Sequence, residues 1–177
     1  MRKPFPGAAA LLAAFLLAAP ACKHQDVHVT DTIEEPPQLA STVRMGDRTM
    51  AHQLVSGFYD IESNAWRWTQ QKFAVNLRPP AHSAQQGAVL ELHLTVPRTS
   101  IDKLGSITLS ATIDATALAP EAYSKAGDYT YRRDVPANLL PAGAVRVDFQ
   151  LDKAVPPGDV DKRELGIVAT SVRLVSK

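Results

Sequence analysis

Apolar and polar residues alternate one by one in several short runs of this chain, and this alternation constrains its fold more than any other feature. Because successive side chains of a strand point to opposite faces, each run predicts a strand with one buried and one solvated face. Such strands are typical of antiparallel sheets. The runs lie near residues 54–59, 65–69, 73–77, 90–96, 107–113, 129–131, 145–151 and 165–175, and Pro, Gly or Asp separates most of them. We therefore expect an all-β fold, an antiparallel β-sandwich of the jelly-roll type with about eight strands. Short helical turns are expected only near 100–104 and 137–140.

The first 22 residues have the pattern of a secretory lipoprotein signal. Arg2 and Lys3 precede a run from Ala8 to Ala19 without polar side chains, and small residues then lead to Cys22, the one cysteine of the chain. The run is shorter than the roughly 20 residues that a membrane-spanning helix needs. We therefore predict a signal peptide at 1–21 and lipidation of Cys22, with acyl chains such as palmitate as the membrane anchor. The alternative is an ordinary secretory cleavage site with a cysteine there by chance.

Composition after the signal peptide sets the domain organisation and the classes of partner. Residues 22–47 contain several acidic residues, a Pro-Pro pair and few apolar ones, which predicts the lipidated cysteine and a flexible tether. Residues 48–177 are then the folded domain. Without Arg2 and Lys3 the basic residues fall from 19 to 17 against 18 acidic ones, and this balance argues against a nucleic-acid partner. Lys23, where an aspartate would favour inner-membrane retention, points to the outer membrane of a Gram-negative envelope, on its periplasmic or its surface side.

Both tryptophans of the chain lie in the segment 57–68, two residues apart. On a strand this spacing places Trp66 and Trp68 on one face with Arg67 on the other. Indole rings stack on sugar rings, and nearby charged groups satisfy the sugar hydroxyls, so the segment is a candidate glycan site. Its candidate ligand-binding residues are Tyr59, Asp60, Glu62, Trp66, Arg67 and Trp68. The alternative places the tryptophans in the core and pairs Glu62 with Arg67.

Three stretches together resemble a known kind of domain. They are Gly57-Phe58-Tyr59 with Glu62 and Arg67-Trp68, Gly127 to Tyr131 with Val135-Pro136, and Val155 to Ile167 with Asp161, Arg163 and Gly166. The resemblance is to accessory β-sandwich, carbohydrate-binding-like domains of bacterial cell-surface polysaccharide and glycosyltransferase proteins. It covers roughly residues 50–176 and implies a sandwich fold in an envelope-glycan context. Here, by contrast, we expect the domain to follow a lipoprotein signal and to stand without an attached enzyme.

Catalytic and metal chemistry find little support in the sequence. His24 and His28 have a ligand-like spacing but lie in the predicted tether, and residues 48–177 contain no cysteine nucleophile and no phosphate-binding loop. We therefore expect no enzyme, no cofactor and no metal. The function predicted is a lipid-anchored binding module for glycan. The alternative is a structural or assembly lipoprotein that binds an envelope protein through a sheet face.

Overall fold

The computed structural model describes residues 38–177. The predicted signal peptide, Cys22 and the tether as far as residue 37 lie outside the described residues. The strands are β1 (Thr42–Arg44), β2 (Leu54–Phe58), β3 (Arg67–Leu77), β4 (Ala88–Val96), β5 (Ile107–Ile113), β6 (Thr116–Tyr123), β7 (Gly127–Val135), β8 (Val145–Leu151) and β9 (Val168–Ser176). Two short helices, α1 (Ser83–Gln86) and α2 (Arg98–Leu104), and 3-10 turns at Arg48–Gln53 and Ala137–Leu139 complete it. No helix in this part of the chain has the length and apolar character needed to cross a membrane.

All strand pairs of this domain are antiparallel, and the main path of the sheet runs β6-β5-β8-β3-β9-β4-β7. Strand β3 belongs to both halves of that path. Its first two residues pair with β9, and Lys72–Leu77 pair with β8. Short strand β1 adds to β9, and β2 adds to β3. The result is a nearly closed antiparallel sheet of sandwich type, which confirms the predicted all-β fold class.

The core lies between the inward faces of the two halves. Alternate residues of β5 and β8 are buried, as the period-two pattern predicts. Phe149 stacks on Phe73 with ring centroids 4.9 Å apart, and Tyr131 meets Phe149 edge to face. Burial of these large side chains is the main driving force for the fold, since each removes extensive apolar surface from water.

The strands β1 and β6 were not predicted, and two runs that were predicted as separate strands form one strand. Strand β1 lies within the segment expected to be tether, and its Val43 is fully buried, so the folded domain takes in the last residues of that segment. Strand β6 was missed because only Leu118 and Tyr123 of it are buried. The runs at 65–69 and 73–77 form the single long strand β3.

Gly57 sets the course of the chain between β2 and the aromatic segment. The pairing of β2 with β3 shifts register between Leu54 and Ser56 and again between Ser56 and Phe58, and Gly57 lies within the second shift, where the chain bulges. Gly57 has φ +76°, and a Cβ atom on it would lie 2.0 Å from the Lys72 carbonyl oxygen. Only glycine fits such a position. After the bulge, the backbone N–H of Tyr59 donates to the Trp68 carbonyl.

Candidate functional site

The two tryptophans lie side by side at the start of β3. Trp66 and Trp68 meet edge to face, with ring centroids 6.3 Å apart, and both side chains are partly buried. They therefore share a face of the strand, as their spacing predicts. Both indoles keep some access to solvent, so neither is a fully buried core residue.

Tyr59 and Glu62 contact both the two tryptophans and Arg163, which lies in the chain before β9. Tyr59 donates its backbone N–H to the Trp68 carbonyl at 3.0 Å, and Glu62 forms an isolated bridge with Trp66. The Arg163 guanidinium donates to Glu62 at 2.8 Å and lies 5.2 Å from the centre of the Tyr59 ring. Two of the stretches that carry the resemblance, distant in sequence, thus meet at one place.

Arg163 is held from a second side by Asp161. Its Nη2 donates to Asp161 at 2.9 Å, and its backbone N–H donates to the same carboxylate. These hydrogen bonds from Arg163 keep the pKa of Asp161 below its ordinary value and raise the pKa of Arg163. Both groups are therefore charged at neutral pH, and they fix the polar border of the aromatic cluster.

Arg67 does not pair with Glu62, so the ion pair that the core alternative required is not formed. Arg67 instead donates from Nε to the Met45 carbonyl at 3.1 Å and from Nη1 to the Tyr59 carbonyl at 2.8 Å. Burial lowers the pKa of Arg67, and the charge of exposed Asp60 acts in the opposite direction. Arg67 thus connects the residue after β1 to the chain after β2 through two backbone carbonyls. Its predicted contact with a ligand stays a prediction.

The strand register places the aromatic pair at one end of a polar surface, which we call the outer face. Residues paired across antiparallel strands project to the same side. Three adjacent rows follow, each crossing several strands: Trp68, Val168, Thr95 and Asp128; then Arg44, Ser171, His93 and Thr130; then Thr42, Arg173, Glu91 and Arg132. Hydrogen bonds from Thr95 to Asp128 and between Thr130 and His93 run along the first two rows. The second and third rows are two residues apart on each strand and so are separated by about 7 Å.

The third row contains a buried carboxylate. Glu91 is 4% exposed and accepts hydrogen bonds from Arg132 on β7 and from Arg173 on β9, the latter at 2.6 Å. The carboxylate lies between two arginines from neighbouring strands, and these charge-assisted hydrogen bonds fix the positions of the three charged side chains on the outer face.

A groove of about 750 Å³ opens next to these rows. It is lined by Thr42, Arg44, Gly46, Asp47, Arg48, Thr49, Asn64, Ala65, Thr170, Ser171 and Arg173. Asn64 and Ala65 connect it directly to Trp66 in the chain. The predicted site residues did not include Arg44, Arg48 or Arg173. Arg44 and Arg48 were assigned to the tether or its border, although the polar-apolar alternation of Thr42-Val43-Arg44-Met45 was a usable signal.

The described residues offer several kinds of group that can contact a ligand. In residues 38–177 no three His, Cys, Asp or Glu side chains come together as metal ligands. The aromatic cluster offers π-faces, and the outer face offers hydroxyl, carboxylate and guanidinium groups. Such an arrangement can stack on an apolar ring face and satisfy its polar substituents.

Comparisons with known proteins add little to this description. No family model matches the chain, and no curated protein matches it. Among solved structures it is similar to dimeric latent PorU from Porphyromonas gingivalis, at 11% identity and a TM-score of 0.36. The match covers 60% of this chain and 10% of the PorU chain, and a likeness at this level supports no statement about function. The resemblance to carbohydrate-binding-like accessory domains stays a prediction.

Proposed function

We propose that this protein is a lipid-anchored envelope lipoprotein whose domain is a non-catalytic binding module for cell-surface or extracellular glycan. One observation carries the proposal. The two tryptophans contact each other, remain partly exposed and lie at the end of the polar outer face. Indole rings next to fixed polar groups match a sugar ring, which has an apolar face and a polar edge.

The surroundings of the tryptophans suit a ligand that has to be oriented. Glu62, Arg163 and Asp161 are held by each other, so their positions are set before a ligand arrives. Binding to a preorganised site avoids much of the entropy lost when side chains are fixed. The polar rows beside Trp68 extend the surface across several strands, which favours an oligosaccharide over a single sugar.

The exposed apolar surface does not favour the alternative, a protein partner bound through a sheet face. Among residues 38–177 the exposed large hydrophobic side chains are Val55 and Val160. They belong to β2 and to the loop before β9. The buried centre of a protein interface is usually more apolar than that.

The membrane anchor in this proposal is the lipid on Cys22, and it is inferred from the sequence alone. A signal peptide that ends at a lone cysteine supports lipid attachment, and several acyl chains hold a protein on a membrane stably. The domain would then present its glycan site at the cell envelope.

Tryptophan fluorescence tests the glycan site, because Trp66 and Trp68 are the only tryptophans of the chain and both lie in it. The protein from Lys23 onward is titrated with polygalacturonate, its methyl ester, dextran and peptidoglycan fragments. We expect a blue shift of emission with at least one of them, since a bound sugar removes water from the indoles. By calorimetry, Trp68→Ala should weaken that binding about fivefold or more.

Val55→Ala is the control, because it truncates an exposed apolar side chain that is not among the candidate ligand-binding residues and should leave binding unchanged. Emission that is unaffected by every glycan, with no calorimetric heat for any of them, would contradict the proposed function.

A further inference from the structure

The groove beside the aromatic cluster carries more positive than negative charge. Arg44, Arg48 and Arg173 line it, and Asp47 is the one carboxylate among its lining residues. The charges of residues 38–177 as a whole are nearly balanced, so this excess is local. A local excess of one sign in a concave surface attracts ligands of the opposite sign.

The arginines of the groove have N–H groups to offer. The side chains of Arg44 and Arg48 are exposed and form no ion pair with another residue of 38–177. Arg173 gives Nε and Nη2 to Glu91, which leaves part of its five-donor fork for a further acceptor. A guanidinium with free donors is suited to a planar carboxylate, which it can hold with two parallel hydrogen bonds.

Asp47 does not neutralise these groups by direct contact. Its Oδ1 accepts from the Thr49 hydroxyl at 2.7 Å and from the Thr49 backbone N–H at 2.9 Å, where it begins the 3-10 turn. The same hydrogen bonds lower the pKa of Asp47, so it stays ionised and committed to the turn at neutral pH. The arginines therefore remain available.

The rest of the lining is rich in neutral hydrogen-bonding groups. Thr42, Thr49, Thr170, Ser171 and Asn64 bring hydroxyl and amide groups to the groove. These groups suit the hydroxyls of a sugar. A site with arginines alone would suit any anion, whereas arginines among hydroxyls suit a sugar that carries an acid group.

The groove and the aromatic cluster form one continuous surface. Arg44 lies in the row next to Trp68, because their partners Ser171 and Val168 are neighbours on the outer face of β9. Ala65 of the groove directly precedes Trp66 in the chain. A ligand that stacks on the indoles can therefore reach the guanidinium groups with a neighbouring sugar unit.

We infer that the glycan bound by this face is acidic, a polysaccharide with carboxylate groups such as a uronic-acid polymer, and that Arg44, Arg48 and Arg173 hold those carboxylates. This inference rests on the proposed function and names the class of its ligand. The tryptophans supply stacking, and the arginines supply the discrimination between acidic and neutral chains.

Polygalacturonate and its methyl ester test the inference, because they share a backbone and differ in carboxylate charge. Calorimetric titration of the protein from Lys23 onward should give tighter binding to the acid form, with an advantage that shrinks as NaCl is raised. In the double variant Arg44→Gln, Arg48→Gln, affinity for the acid form should fall about tenfold, while affinity for the methyl ester is unchanged. The double variant Arg98→Gln, Lys103→Gln on α2 removes the same charge outside the groove and should behave as the unaltered protein.

The outcomes separate the inference from the proposed function. Equal affinity for the two polymers, or no effect of the groove variant, overturns the acidic class and leaves glycan binding standing. Binding to neither polymer, with retention on vesicles that contain anionic phospholipid, overturns the acidic-glycan assignment in favour of a lipid headgroup. Equal loss in the groove and α2 variants shows a general charge effect and also overturns the inference.

Discussion

Replacing Glu91 by glutamine should destabilise the domain by about 2 kcal/mol. Glu91 is 4% exposed, and its carboxylate accepts from Arg132 and Arg173. Hydrogen bonds to charged groups contribute about 1.5–3 kcal/mol each, so the two together set an upper range of about 3–6 kcal/mol. The net loss is smaller for two reasons. The side chains of Arg132 and Arg173 are 61% and 42% exposed and regain water, and an amide costs less to bury than a carboxylate.

Urea unfolding followed by far-ultraviolet circular dichroism measures this change. Asp148→Asn is the control, because Asp148 is half exposed and pairs with Arg146 on its own strand, so its loss should cost less than about 0.5 kcal/mol. Glu91→Gln should also cost less in an Arg173→Gln background, because one of its partners is already gone. If Glu91→Gln and Asp148→Asn have the same free energy of unfolding, the reasoning about the buried carboxylate is refuted.

Three further changes test other parts of the structure. Gly57→Ala should destabilise by about 3 kcal/mol, because its φ is +76° and the added Cβ would overlap the Lys72 carbonyl; Gly158→Ala, with open space around it, should be neutral in the same urea assay. Asp161→Asn should lower the unfolding midpoint by a constant amount from pH 7 to about 5. That difference should shrink below the ordinary pKa of 3.8, because the depressed pKa of Asp161 contributes stability that is lost as pH falls; a difference independent of pH would contradict the ion pair. Tyr123→Phe should leave the free energy of unfolding unchanged or raise it by up to about 1 kcal/mol in the same urea assay, because the buried Tyr123 hydroxyl has no hydrogen-bond partner in residues 38–177. A clear loss of stability would show that this hydroxyl does have a partner.

Periodicity predicted the strands that have one buried and one wet face. Strands β5 and β8 match the predicted runs because each alternates along its whole length. Strand β4 begins two residues before its predicted run, because Ala88 and Val89 are both apolar and buried and so do not alternate. The alternation fails for β6, since it contains Pro120 and exposes most of its residues at the end of the sheet path. The polar stretch Gln70-Gln71-Lys72 looked like a break, but β3 continues through it while it passes from β9 to β8.

Local spacing also predicted part of the candidate site. The contact between Trp66 and Trp68 follows from their separation of two residues on a strand. The partner of Glu62 does not, because Arg163 lies 101 residues away and comes close only when the chain before β9 packs against β3. The groove was missed for a similar reason. Arg44 is placed there by the pairing of β1 with β9, the two strands that lie farthest apart in the sequence of the domain.

The position of β9 has a consequence for the order in which the domain is made. A ribosome delivers β1 first and β9 after every other strand, yet β9 pairs with β1, β3 and β4. Until Val168–Ser176 have been synthesised, β1 has no strand to pair with, and no strand pairing joins the β4-β7 pair to β3. The nascent chain therefore cannot complete its sheet until late in translation, which suits the export that the proposed signal peptide would direct.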